Sequence, residues 1–269
     1  TTDTASYSVA LGTTALDAIT TGDNNVAIGY GALSANTTGG QNVAVGANAL
    51  AAAIKSYSNA FGYNALLTQT TGGSENCAFG WESLKLNSSG DHNNAFGNGT
   101  LDANTTGSNN VAFGSYALSG NTEGAGNTAV GKEALFTSTT ASNNTAIGLQ
   151  ALYDNTSGTS NVAVGYGCMY NNEDGDNNTA VGRSALDANT SGDHNAAFGK
   201  DALGAATTAS NNSAVGSLAM NANTTGANNT GIGYGALGSN TTASSNTGIG
   251  YLALTANTTA AANTAVGKS

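Results

Sequence analysis

The chain has 269 residues, a net charge of −10, 8% charged residues and no proline, and so acidic a surface is a poor match for nucleic acid or an anionic membrane. No stretch is apolar enough to span a bilayer and none reads as a signal peptide, so no membrane insertion is expected. Gly, Ala, Asn, Thr and Ser dominate, which would suit disorder were their order not strict.

A five-residue phrase ending in glycine recurs sixteen times, with glycines at 12, 29, 46, 62, 80, 97, 114, 131, 148, 165, 182, 199, 216, 233, 250 and 267. Thirteen of the fifteen gaps are 17 residues, and the one gap of 16 is followed by one of 18. A period this short cannot hold two packed helices, so each repeat is one coil of an all-β parallel solenoid, or β-roll, of about 15 coils. Residues 1–7 form a partial first coil and 268–269 begin a truncated last one, so 1–269 reads as a single repeat domain. At a coil spacing of roughly 4.8 Å the expected rod is on the order of 70 Å long. No atypical capping repeat is visible, which suggests a segment of a longer protein or ends covered by neighbours in a filament.

The repeat is numbered from the Asn of Asn25-Val26-Ala27-Ile28-Gly29. Position one is Asn in fourteen copies and Ser in two (Ser8, Ser58); position three is Ala except at Gly231 and Gly248; position four is always a large hydrophobe. These five residues read as a strand whose alternation puts positions one, three and five on a cramped face and two and four on a bulky one. A 17-residue coil is too thin to enclose both, so one face is expected to pack against other chains. The position-one amides, among them Asn25, Asn42, Asn76, Asn110, Asn144, Asn178, Asn212 and Asn246, are expected to stack as a structural ladder along the axis.

After the glycine comes a phrase with Ala at position eight, as in Ala32, and Leu or Met at position nine, as in Leu33 and Met220. Leu or Met fills position nine in all fifteen complete copies, so it is core. A polar turn such as Asn36 to Gly39 follows. The stretch between glycine and turn fits either a second strand or one helical turn.

Catalytic and metal motifs are missing: no position combines a nucleophile, a base and an orienting group, so neither enzymatic activity nor a cofactor is expected. His92 and His194 occupy equivalent slots six coils apart and read as turn histidines. Glu173-Asp174-Gly175-Asp176 lacks the spacing of a calcium loop and reads as a solvated turn. Cys77 at position two and Cys168 at position eight read as buried free thiols. Exposed aromatics are the candidate receptor or glycan contacts: Phe136, Tyr153 and Tyr170 at position ten of successive coils with Tyr166 nearby, and Tyr30, Tyr63, Trp81, Tyr234 and Tyr251 at position six. The competing reading is an aromatic ladder that stabilises the stack. Thr rows at positions thirteen and fourteen raise an ice-binding face, although neighbouring strand positions point to opposite sides. Six Lys or Arg and a single Asn-Gly pair, Asn98-Gly99, suit a long-lived extracellular protein.

The phrases Ser8-Val9-Ala10-Leu11-Gly12 and Asn25-Val26-Ala27-Ile28-Gly29 resemble the head repeats of trimeric autotransporter adhesins, over nearly the whole chain. That resemblance implies a left-handed parallel β-roll in which three chains lie side by side. The longer pattern at Asn178 to Gly192 is similar to repeats in tail fibres of tailed phages. The 17-residue period exceeds that of most adhesin heads, no heptad stalk follows and no anchor barrel is present. The expected function is therefore that of a homotrimeric structural fibre or shaft, holding or forming a receptor-contacting surface on a virion or cell. The runner-up is a bacterial surface adhesin head binding host matrix or cells. End-to-end filament growth and a cell-surface glycan or matrix receptor complete the expected partners.

Overall fold

The computed structural model describes residues 7–70 and 72–268, and among them there is no helix, hence none long and apolar enough to cross a membrane. Among the described residues sixteen three-residue strands recur, one per repeat, making a parallel β-solenoid. The coils fall into two compact units, one of Thr1–Glu133 with Ser138–Thr140, the other of Ala134–Thr137 with Ala141–Ser269.

In the first unit, β1 (Val9–Leu11), β2 (Val26–Ile28), β3 (Val43–Val45), β4 (Asn59–Phe61), β5 (Cys77–Phe79), β6 (Asn94–Phe96), β7 (Val111–Phe113) and β8 (Thr128–Val130) pair in parallel in chain order. Like positions face like, as in Ala27 opposite Ala44. The 16-residue and 18-residue gaps leave this register intact, since Val43 faces Asn59 and Asn59 faces Cys77. The added and deleted residues are absorbed outside the strands. The second unit repeats the arrangement from β9 (Thr145–Ile147) to β16 (Thr264–Val266). Each strand is narrower than the five-residue phrase suggests, because only positions two to four join the ladder.

The cramped face is the inner one. Ala27, Ala32 and Leu33, at positions three, eight and nine, are fully buried, and the same holds through most coils. Positions two and four point outward: Phe113 is 59% exposed and Ile147 41%. Position nine is thus core, as its invariance implies, and the bulky row lies outside each chain's own core.

The second phrase is neither strand nor helix. Adjacent residues eight and nine both face inward, which a strand forbids, and a left-handed backbone makes it possible. Position nine has φ near +50° in every described coil, from Leu16 at 55° to Leu254 at 53°. Position seven is left-handed too (Asn48 57°, Glu133 57°, Leu218 60°), as is position seventeen (Asn24 61°, His194 57°). The chain turns in short steps closed by three-residue bonds: Ala32 N–H donates to Gly29 O at 3.4 Å and Ser34 N–H to Gly31 O at 3.3 Å. A positive φ at the third residue of each step is the mark of a type II turn. Each bulky left-handed residue costs about 1–2 kcal/mol. Hydrogen bonds between coils offset this: Gly31 N–H donates back to Thr13 O at 3.0 Å, and Leu33 N–H forward to Ala49 O at 3.1 Å.

Glycine at position five has a stricter reason. Its φ lies near +135° in every coil, where an L side chain is not accommodated. A Cβ on Gly114 would also sit 2.5 Å from the carbonyl oxygen of Gly131 in the next coil. Gly114→Ala is therefore expected to cost about 3 kcal/mol or more in denaturant unfolding. Gly167→Asn, at left-handed position seven with open space (nearest atom 3.9 Å), should stay within about 1 kcal/mol of the parent.

Candidate functional site

The interior is held by two rows of asparagine. All eight predicted ladder residues, Asn25, Asn42, Asn76, Asn110, Asn144, Asn178, Asn212 and Asn246, are buried to 1% exposure or less. Their linkage differs from simple amide-to-amide stacking. Asn25 Oδ1 accepts the backbone N–H of Asn42 at 3.0 Å, while Asn25 Nδ2 crosses the coil to donate to Gly39 O at 2.9 Å. Direct amide contacts, such as Asn110 Nδ2 to Asn93 Oδ1 at 3.1 Å, are added in some coils.

A second buried row, at position twelve, was hidden in the polar turn. Asn36 Nδ2 donates to the same Gly39 carbonyl at 2.9 Å, and here amides do stack, Asn104 Nδ2 reaching Asn87 Oδ1 at 2.7 Å. The signal available in the sequence was the recurrence of Asn at that position. One coil exchanges the lengths: Ser58 replaces the position-one Asn, and Gln69 replaces the position-twelve Asn and donates to Ser58 Oγ at 3.2 Å.

The outer surface carries aromatic stacks. Phe136, Tyr153 and Tyr170 stack at centroid distances of 5.1 and 4.8 Å, so position ten forms a ladder within the second unit. Tyr166 stands outside that ladder, its ring 5.8 Å from the Arg183 guanidinium. Tyr234 and Tyr251 stack at 5.5 Å, and Lys268 Nζ lies 5.7 Å from the Tyr251 ring. Tyr30, Tyr63 and Trp81 are exposed and belong to no stacked pair among the described residues. A further ladder, at position four, joins Phe61, Phe79, Phe96 and Phe113 at 4.4, 4.9 and 5.7 Å. The aromatic candidates are thus spread over several rows and do not converge on one point.

The remaining candidates are scattered, and two of them, Asp176 and Cys168, are engaged in the scaffold. Asp176 Oδ1 accepts Thr159 N–H at 2.6 Å and Asp193 Oδ1 accepts Asp176 N–H at 2.7 Å, so Asp176 ties successive coils together, while Glu173 and Asp174 of the same turn are exposed. Burial first, then neighbouring Glu173, pushes the Asp154 carboxyl above its ordinary range. His92 lies 3.1 Å from Glu75 in the adjoining coil. Among the described residues no three His, Cys, Asp or Glu side chains cluster as metal ligands would. Both cysteines are free, but only Cys168 is buried. Cys77 is half-buried because position two faces outward, which corrects its reading as a core thiol. Burial, above all, pushes the Cys168 thiol up to about 12, with its Sγ 3.2 Å from Ala180 O.

The chain matches no protein-family model and no curated protein sequence.

Two outcomes check this architecture. Asn161→Ala strips the acceptor from Asn178 N–H and one donor from Gly175 O, and is expected to cost about 2–4 kcal/mol in denaturant unfolding. Asn161→Ser should cost less, because Ser8 Oγ already accepts Asn25 N–H at 3.1 Å in the same role. An aromatic disulfide reagent at about pH 8 should label Cys77 in the native protein and Cys168 only after unfolding, with Cys77 reacting faster as pH rises.

Proposed function

We propose that the chain is a structural fibre segment that associates side by side with copies of itself, as a homotrimer, and serves as an extracellular shaft holding or forming a receptor-contacting surface on a virion or cell. The observation that carries this reading is the outward row of position four. In both units it presents Val, Ile, Leu or Phe from every coil, and no polar residue interrupts it. Leaving such a row wet forgoes about 25 cal/mol for each Å² of apolar surface, and contiguous exposed apolar patches mark interaction sites. Copies of this chain are the fitting occupant, since an identical coil period lets row meet row without mismatch. The row is uncharged, so like copies meet there without repulsion despite the acidic net charge.

The exposed rings of position six favour a second reading, a bacterial adhesin head that contacts host matrix or cells through its sides. An ice-binding role draws less support, because the position-thirteen hydroxyls, such as Thr105 Oγ1 to Thr122 O at 2.9 Å, are already donated to backbone carbonyls.

Light scattering at several concentrations tests the association. A stable mass of three 26.2 kDa chains is expected. Phe113→Asp and Phe96→Asp should reduce it to a single chain with the circular dichroism unchanged, since both side chains lie outside the core. A monomeric parent protein, or variants that unfold outright, would sink the proposal.

A further inference from the structure

Positions seven and ten lie on the same side of the coil as the position-six rings, and in only one repeat are both of them glycine, Gly235 and Gly238. There the surface opens into a depression of about 250 Å³ within the second unit. Leu218 and Leu252, the position-seven residues of the coils on either side, form its apolar walls, and Tyr234 stands at its edge. Asn221, Ser239 and Thr255 supply short polar groups. No charged side chain lines it. The glycines create the space: a Cβ on Gly235 would lie 2.7 Å from Leu252 Cδ2, and one on Gly238 would lie 3.0 Å from Gly235 O.

The Tyr234 ring is left half used. Tyr251 covers one face at 5.5 Å. The preceding coil carries Ser217 at the same position, too small to cover the other, and Tyr234 remains 47% exposed. A free ring face next to a shallow, uncharged depression edged by hydroxyl and amide groups matches the chemistry of a sugar, whose flat C–H face stacks on an aromatic ring while its rim hydrogen-bonds. The volume suits one ring, being below the range of pockets for drug-sized molecules. The net charge of −10 disfavours acidic sugars.

We propose that this depression is a subsite for one neutral pyranose ring of a glycan, its C–H face on the open side of Tyr234 and its hydroxyls toward Ser239, Thr255 and Asn221; the proposal rests on the reading of the chain as a receptor-contacting fibre. Several coils offer an exposed ring, but the coil of Tyr234 adds the paired glycines that let a ligand settle beside it.

The test is saturation-transfer NMR with methyl β-galactopyranoside, methyl α-mannopyranoside and N-acetylglucosamine at about 10 mM, above the roughly millimolar Kd of a single shallow contact. Tyr234→Ser copies Ser217 of the neighbouring coil, and Gly238→Asn copies Asn221, so both are built to keep the fold; circular dichroism checks each. At least one sugar should receive saturation from the parent protein, strongest on one ring face. Each variant should raise Kd by about tenfold or more, while Tyr63→Ser, an exposed position-six ring whose own coil carries Asn64 and Leu67, should change nothing. Silence from all three sugars, or undiminished signal in both folded variants, overturns the subsite. Loss in Tyr63→Ser alone also overturns it, moving binding to other rings and leaving the receptor-contacting reading in place. The fibre reading fails separately, by the mass measured in light scattering.

Discussion

Most coils close on one carbonyl, that of position fifteen, and two buried amides reach it. Gly39 O takes a hydrogen bond from Asn25 at one end of its coil and from Asn36 near the other; Gly192 O is held the same way by Asn178 and Asn189. A coil of 17 residues has an interior too narrow for large side chains from every wall, so backbone polar groups necessarily face inward. Unpaired, each would cost about 1–3 kcal/mol. Asparagine resolves this because it is short and carries both donor and acceptor. It therefore serves here as a core residue as much as Leu33 or Leu186.

The rest of the architecture follows from that narrow interior. Ala at positions three and eight leaves room for the amides, and Leu or Met at nine fills the remaining space. Bulk that does not fit goes outside, to position four. The left-handed turns at seven and nine bend the chain around this core without a long second strand. The outer rows are then free to vary from coil to coil, and most differences between repeats are found there: phenylalanines along position four of the first unit, rings along position ten of the second, a pair of glycines beside Tyr234.

Much of this was legible in the residues. Period, strand position, the core Leu or Met at position nine and the row of amides at position one follow from recurrence at fixed spacing; which strand face turns inward does not, because alternation alone sorts residues into two faces without saying which is covered. Position twelve was missed since Asn-Thr-Thr-Gly reads equally well as a solvent-exposed turn. The segment after the glycine resisted assignment because non-glycine residues at positive φ leave no mark in composition: Glu82, Tyr116 and Leu218 all adopt it. The depression at Gly235 and Gly238 is equally hidden, since it depends on which neighbours flank two glycines across three coils. Cys77 was misplaced for a simpler reason. Apolar character suggested burial, whereas position two is apolar on an outer face.

The hydrogen bonds between coils alternate in direction. Gly31 gives its proton to the coil before it and Leu33 to the coil after it, so a coil inside either unit completes its bonds only when both neighbours are in place. Such a chain resembles a crystal growing in one dimension. Starting is slow, because the first turns adopt left-handed angles with no template to bond, and each later coil is laid on a finished edge. One misfolded coil would leave two raw edges, and the damage would be felt on both sides of it.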